Sequence, residues 1–151
     1  MNNKLAIIGA SYLQLPLIRK AKSLGFETHV FAWAVNDVGE AEADFFYPIS
    51  IVEKDQILEK CKEIGICGIC SIASDLASIT VNYVADKMGL VGNSMDATMK
   101  STNKHLMRLA FEEFGDPSPK SMLVDENIDL SKAWQLAKYT AYAFGIPIPV
   151  C

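Results

Sequence analysis

The sequence predicts an α/β protein with a mostly parallel sheet, and three observations carry that prediction. Short apolar or β-branched runs alternate with amphipathic stretches along the chain. Glycine closes nearly every amphipathic stretch, as a helix-terminating residue does. The apolar runs are continuous rather than alternating, which suits strands buried on both faces. Strand followed by helix, repeated in this way, leads to parallel pairing through right-handed crossovers.

The first run, Lys4–Gly9, is a buried strand ending in glycine. Pro16 suits a first helical turn, and a helix from Pro16 to Leu24 places Leu17, Ile18, Ala21 and Leu24 on one face before Gly25. Thr28–Trp33 is β-branched and aromatic, a second strand. Residues 34–43 read as a loop with a turn at Asn36–Gly39. Phe45–Ile49 is a short strand that Pro48 assigns to an edge. Lys54–Ile64 is an amphipathic helix with Ile57, Leu58, Cys61 and Ile64 inward and Gly65 as its stop. Ile66–Ala73 is the next buried strand, and Leu76–Met88 the next helix, with Ile79, Thr80, Tyr83 and Val84 at helical spacing and Gly89 at its end. Leu90–Gly92 reads as a very short strand. Asn103–Phe114 is a helix with Met107, Ala110, Phe111 and Phe114 inward and Gly115 beyond it. Ser121–Val124 reads as a strand. The composition then shifts: from Lys132 the chain is rich in Ala and aromatics, a helix stopped by Gly145, followed by Pro147 and Pro149, which no sheet interior tolerates.

Composition bounds the function. A chain of 151 residues, half apolar and 21% charged, is long enough for a real core and too apolar for disorder. No apolar run approaches the roughly 18 residues of a membrane span, and the N-terminal run is too brief for a signal peptide. The net charge of −4 gives no basic footprint for nucleic acid. The expectation is a cytoplasmic, reduced protein. Its Cys67-x-x-Cys70 pair lies in a strand-like run, on opposite faces, and both are read as small buried core residues rather than metal or redox ligands.

In an open α/β sheet, ligands bind beyond the carboxyl ends of the strands. That rule selects three loops. The first is Gly9–Gln14. It sits where a dinucleotide phosphate loop would, but Ser11 and Gln14 replace two of the glycines that such a loop needs, and strand 2 ends in Trp33-Ala34-Val35 without an acidic residue for a ribose. A nucleotide-binding oxidoreductase is therefore disfavoured, while Ser11, Tyr12 and Gln14 either face a substrate or build the turn. The second loop is Ser71–Ser78, where Asp75 is favoured as a helix N-cap, a role compatible with lining a ligand crevice beside Ser74. The third is Ser101–Lys104, with Thr102 as N-cap and Lys104 in the first turn, where a cation opposes the helix dipole and suits an anion. His29 reads as a strand residue and His105 as a surface helix residue. No zinc-protease, P-loop or nucleophile-elbow motif occurs.

Taken together, SYLQLP at 11–16, Ala43-Asp44 to Pro48, SIASD at 71–75 and the helix start Thr102-Asn103-Lys104 resemble the N-terminal part of ATP-grasp enzymes, over about residues 4–130. The branch they resemble most is the carbamoyl-phosphate-synthase-like, carboxylate–amine ligase branch. The resemblance implies a three-layer, Rossmann-like pre-ATP-grasp domain over residues 1–100, a linker helix and the start of the ATP-grasp region over 101–130, and a divergent tail over 131–151. It implies that Ser11, Tyr12, Gln14, Ser74 and Asp75 help enclose an acceptor substrate and that Lys104 reaches the nucleotide. Mg-ATP is the cofactor of the full-length family, whose reaction activates a carboxylate as an acyl phosphate that an amine attacks. No catalytic or metal-binding residue is expected here, because the tail carries neither a glycine-rich phosphate loop nor a magnesium-binding acidic pair. The expectation is a truncated or frameshifted ligase-like protein that is not competent alone. A stand-alone dimerisation or small-ligand-binding module is the alternative: a homodimer, with the tail residues Trp134, Tyr139, Tyr142 and Phe144 covering the surface that the family's later domains would bury.

Overall fold

A computed structural model describes residues 3–119, 121–123, 126–127 and 129–144. The chain divides into two compact units, Met1–Thr102 and Asn103–Cys151. The first holds β1 (Lys4–Ile8), α1 (Leu15–Ser23), β2 (Glu27–Phe31), α2 (Val38–Glu42), β3 (Phe45–Tyr47), α3 (Lys54–Ile64), β4 (Gly68–Cys70), α4 (Asp75–Met88) and α5 (Met95–Thr102). The second holds α6 (Lys104–Phe114) and α7 (Leu130–Phe144). Among the described residues no helix is long and apolar enough to cross a membrane.

The four strands form one parallel sheet in the order β3-β2-β1-β4. Pairing runs Leu5↔Thr28, Leu5↔Gly68 and His29↔Phe45. Successive β1 side chains face opposite sides, as a strand requires. Ala6 and Ile8 pack with Phe31, Ile57, Cys61 and Val84 under α3 and α4. Ile7 packs with Val30, Ile18 and Ala21 under α1. The domain is thus three layers, helix on sheet on helix, as the resemblance implies, with the parallel sheet that the residue pattern predicts. Each fully buried Ile or Phe contributes about 1.5–3 kcal/mol, so these two faces hold strands that are only three to five residues long.

Several elements differ from expectation. β2 stops at Phe31: the bonds from Gly9 N to Phe31 O (2.8 Å) and from Ala32 N to Tyr47 O (3.3 Å) lie at the ends of its ladders to β1 and β3, and Trp33 beyond them is 67% exposed. β4 is three residues rather than eight. Its partner β1 ends at Ile8, and Ser71 Oγ caps that end by donating to Ile8 O at 2.6 Å. Residues 38–42, read as loop, form α2: Glu40 reaches back to accept from Asp37 N (3.0 Å) and Val35 N (2.9 Å), fixing its first turn. Leu90–Gly92 is not a strand. The loop after it is tied to α4, with Asn82 Oδ1 accepting from Asn93 N at 2.9 Å, and then enters α5, whose start Ser94 caps by accepting from Ala97 N.

Thr102 ends α5 and is not an N-cap; Asn103 caps α6, its Oδ1 accepting from His105 N and Leu106 N. On α6, Met107, Ala110 and Phe111 are half-buried, but Phe114 is exposed, since the chain turns away at Gly115 and Asp116 N bonds back to Phe111 O. His105 is half-buried rather than on the open surface. Residues 121–123 are not a strand, and Val124 lies outside the described residues, as do Gly145, Pro147 and Pro149. Asp129 Oδ1 accepts from Ser131 N and Oγ at the start of α7.

Polar groups inside the first unit are paired. His29, buried in β2, bonds Glu27 Oε1 (2.9 Å) and Tyr47 Oη (3.0 Å) and stacks on Phe45. Cys61 is buried, and burial pushes its thiol pKa up to about 12, so it is inert. Burial also raises the pKa of half-buried Cys70. Cys67 is exposed, against the expectation of a core residue, because β4 begins one residue later.

Asp44 joins α1 to the start of β2. It accepts from Thr28 N (2.9 Å) and Thr28 Oγ1 (2.8 Å) and pairs with Lys22 (3.1 Å). Burial pushes the carboxyl pKa up, but the bonds from Thr28 and Lys22 outweigh it and hold it below the ordinary value of 3.8. A lowered folded-state pKa stabilises above the unfolded pKa, and that stability is lost as pH falls through the folded value. Asp44→Asn is expected to lose about 1 kcal/mol at pH 7, a modest figure because the carboxylate is partly solvated. The gap to wild type is expected to close below about pH 4. Urea titrations at the two pH values check this; a gap independent of pH assigns the loss to packing instead.

Candidate functional site

All four strands point their carboxyl ends to one side, and a cavity of about 580 Å³ opens there. Ile8 and Ala32, from the ends of β1 and β2, form its apolar floor. The β1–α1 loop supplies Gly9, Ser11, Leu13 and Gln14. Trp33, Val35 and Asp37 come from the β2–α2 loop, Ser50–Val52 from the stretch after β3, and Ala73, Ser74 and Ala77 from the start of α4.

Gln14 organises this side. Only 4% exposed, it sits at the N-cap position of α1 with its amide folded back under the loop. Its Oε1 accepts from Ser11 Oγ (2.7 Å) and Ser11 N (3.2 Å). Its Nε2 donates to Ile72 O in the β4–α4 loop at 2.7 Å. One side chain therefore clasps two loops 58 residues apart in sequence. Gly9 makes this possible: its φ is +102°, and a Cβ there would lie 3.0 Å from Gln14 Cδ. Gln14 thus fills the ground that a glycine-rich loop would leave open to a pyrophosphate.

Ser74, not Asp75, is the N-cap of α4; its Oγ accepts from Ala77 N at 3.2 Å. Both residue types cap well, and the extended backbone of Ser74 (φ −150°, ψ 111°) decides between them. Ala73 just before it holds a φ of +57°, and Asn36, in the facing loop, a φ of +60°. Backbone of this kind is costly for residues with a Cβ and gathers at functional sites.

The structure brings Ser11, Gln14 and Ser74 onto one cavity. Tyr12 is 72% exposed and does not line it. Asp75 lines a separate depression of about 540 Å³, bounded by Ser71–Leu76 and Ser78, which Ser74 shares. Lys104 opens α6 in the other unit. Sequence reasoning missed Trp33, Val35, Asp37 and the Ser50–Val52 stretch. Applying the carboxyl-end rule to β2 and β3 as well as to β1 and β4 finds them. Among the described residues, no group of three or more His, Cys, Asp or Glu is placed to hold a metal ion.

A parallel, three-layer α/β domain with a crevice at its strand ends is a domain of the doubly wound type. No protein-family model matches the chain, and no curated protein matches it. Solved structures do. Phosphoribosylglycinamide synthetase from Anaerococcus prevotii aligns with a TM-score of 0.73 and 26% identity, over 89% of this chain and 35% of its own. L-amino acid ligase from Bacillus licheniformis aligns at 0.65 and 20% identity, over 92% of this chain and 42% of its own. The biotin carboxylase domain of Hydrogenobacter thermophilus 2-oxoglutarate carboxylase, solved with MgADP, ADP and bicarbonate, aligns at 0.70 and 19% identity, over 92% of this chain and 33% of its own. The chain therefore spans between a third and just over two-fifths of these structures. Its fold is that of the N-terminal domain of ATP-grasp enzymes.

Proposed function

We propose that this domain forms the acceptor-substrate wall of an ATP-dependent ligase of the carbamoyl-phosphate-synthase-like, carboxylate–amine branch. The observation that carries the reading is the cavity at the strand ends, with the Ser11–Gln14 loop and the Ser74 turn clasped across it by Gln14. Ser11 and Ser74 position the acceptor, and the apolar floor excludes water from the reacting end. Tyr12 and Asp75, at the rim of the same face, complete the proposed enclosure.

Mg-ATP does not fit this cavity. The described residues that line it include no Lys, Arg or His, and Gln14 fills the turn where phosphate oxygens would approach backbone N–H groups. Lys104 is proposed to serve the nucleotide from the second unit. The 151-residue chain by itself is expected to bind Mg-ATP weakly and to give no ligase turnover. Titration calorimetry with Mg-ATP, combined with amide chemical shifts, tests this. Affinity weaker than micromolar, with no shifts at Ser11, Gln14 and Ser74, is the expected result; micromolar affinity mapping to those amides overturns it.

A homodimer is a second reading, favoured by exposed Leu109, Phe114, Trp134 and Tyr139 in the second unit. Light scattering over a concentration series decides it, and a monomer throughout removes it.

A further inference from the structure

We infer that the strand-end cavity takes an apolar primary amine in its ammonium form, with Asp37 as the counter-charge, and that it rejects phosphorylated ligands. The inference rests on the reading of this cavity as the acceptor site and names the acceptor's chemistry.

Three observations carry it. The first is charge: Asp37 is the one ionisable residue among the described residues that line the cavity. Glu40 lies beside it, its carboxylate accepting from Asp37 N and Val35 N. The two carboxylates set negative charge on this wall, and a phosphate dianion would find no cationic side chain among the lining residues to pair with. The second is the state of the polar groups. The Ser11 hydroxyl and the Gln14 amide are bonded to each other and to Ile72 O, and Ser74 Oγ accepts from Ala77 N. Much of the hydrogen-bonding capacity near α1 and α4 is therefore engaged within the protein, and no charged group stands among it. The third is the apolar surface. Ile8, Leu13, Ala32, Val35, Ile51 and Val52 give a body of hydrocarbon its contacts, and Trp33, on the same lining and 67% exposed, adds an indole, the side chain that best attracts a cation. A volume of about 580 Å³ falls in the range of small-molecule sites. An apolar body with one ammonium head meets all three conditions, and a sugar phosphate meets none.

The test uses the full chain, labelled with 15N, and three probes: phenethylamine, its neutral isostere 2-phenylethanol, and ribose 5-phosphate. Asp37→Asn keeps an N-cap residue at the start of α2 and so preserves the fold. Phenethylamine is expected to shift the amides of Ser11, Val35 and Ser74 and to quench Trp33. Its affinity is expected to fall about tenfold in Asp37→Asn, the loss of one charged hydrogen bond. The alcohol is expected to bind more weakly than the amine and equally to both proteins, which isolates the charge from packing. Ribose 5-phosphate is expected to leave these amides unmoved. Shifts with ribose 5-phosphate at the same amides, or an amine affinity unchanged in Asp37→Asn, overturn the inference and leave the acceptor site standing. No shift with any probe overturns both.

Discussion

Replacing Gln14 with alanine is expected to destabilise the first unit by about 3 kcal/mol and to abolish ligand binding in the strand-end cavity. The side chain is 4% exposed and makes three hydrogen bonds, two to Ser11 and one to Ile72 O. Truncation leaves those partners unsatisfied, at about 1–3 kcal/mol for each that water fails to reach, and empties the space beneath Gly9. Gln14→Glu separates the clasp from the packing. A carboxylate keeps the shape and still accepts from Ser11, but it sets a second acceptor against Ile72 O, 2.7 Å from the atom it replaces. Protonation restores the donor. The folded-state pKa of such a glutamate is therefore raised, so its penalty is absent below the unfolded value of about 4.3 and grows as pH rises through the folded one. Urea denaturation of Gln14→Glu and wild type at pH 7 and pH 4 is expected to show a deficit at pH 7 that shrinks at pH 4. Comparison at matched pH removes the acid loss from Asp44. Parallel curves would falsify the clasp to Ile72.

The same residue shows why part of the site was legible in the sequence and part was not. The mismatch with a dinucleotide loop is visible from Ser11 and Gln14 alone, because it turns on which residues have a side chain. That Gln14 folds inward to a carbonyl 58 residues away depends on where β4 ends, and no local pattern carries that. β4 itself is a nonlocal case: Ile66–Ala73 reads as one apolar run, yet it pairs only as far as β1 offers partners. β1, α1, α3 and α4 were legible because burial on a sheet face or a helix stripe imposes its period over many residues. The short helices were signalled only at their starts, by Asp37 with Glu40 and by Ser94, where a capping pattern resembles a turn. The Ser74–Asp75 choice turned on backbone angles between two residues that cap equally well. Trp33 and Asp37 follow from a general rule for strand ends, provided that it is applied to every strand of the sheet.

Gly39→Ala is expected to lose about 2 kcal/mol, although helix propensity alone predicts the opposite. Gly39 is buried within α2, and its conformation is one that alanine adopts, so an exposed site of this kind would gain about 1 kcal/mol from the exchange. The surroundings reverse the sign. Gly39 N donates to Ala10 O at 2.8 Å, and a Cβ at residue 39 would lie 2.9 Å from both Cα and the carbonyl carbon of Ala10. These are backbone atoms two residues beyond β1 and cannot rotate aside as a side chain would. Overpacking of a filled interior costs about 1–3 kcal/mol, and the rigid neighbour places this site at the upper end. The displacement falls on two separate loops, β1–α1 with Ala10 and β2–α2 with Asp37, both on the cavity wall, so amine binding is expected to weaken together with stability. Val38→Ala, one residue earlier and 51% exposed, is the control and is expected to stay within about 0.5 kcal/mol of wild type. Thermal and urea unfolding of the two variants, with phenethylamine titrations, check the pair. A stabilised Gly39→Ala would mean that α2 stands away from β1 and that the wall bearing Asp37 is not held by this contact.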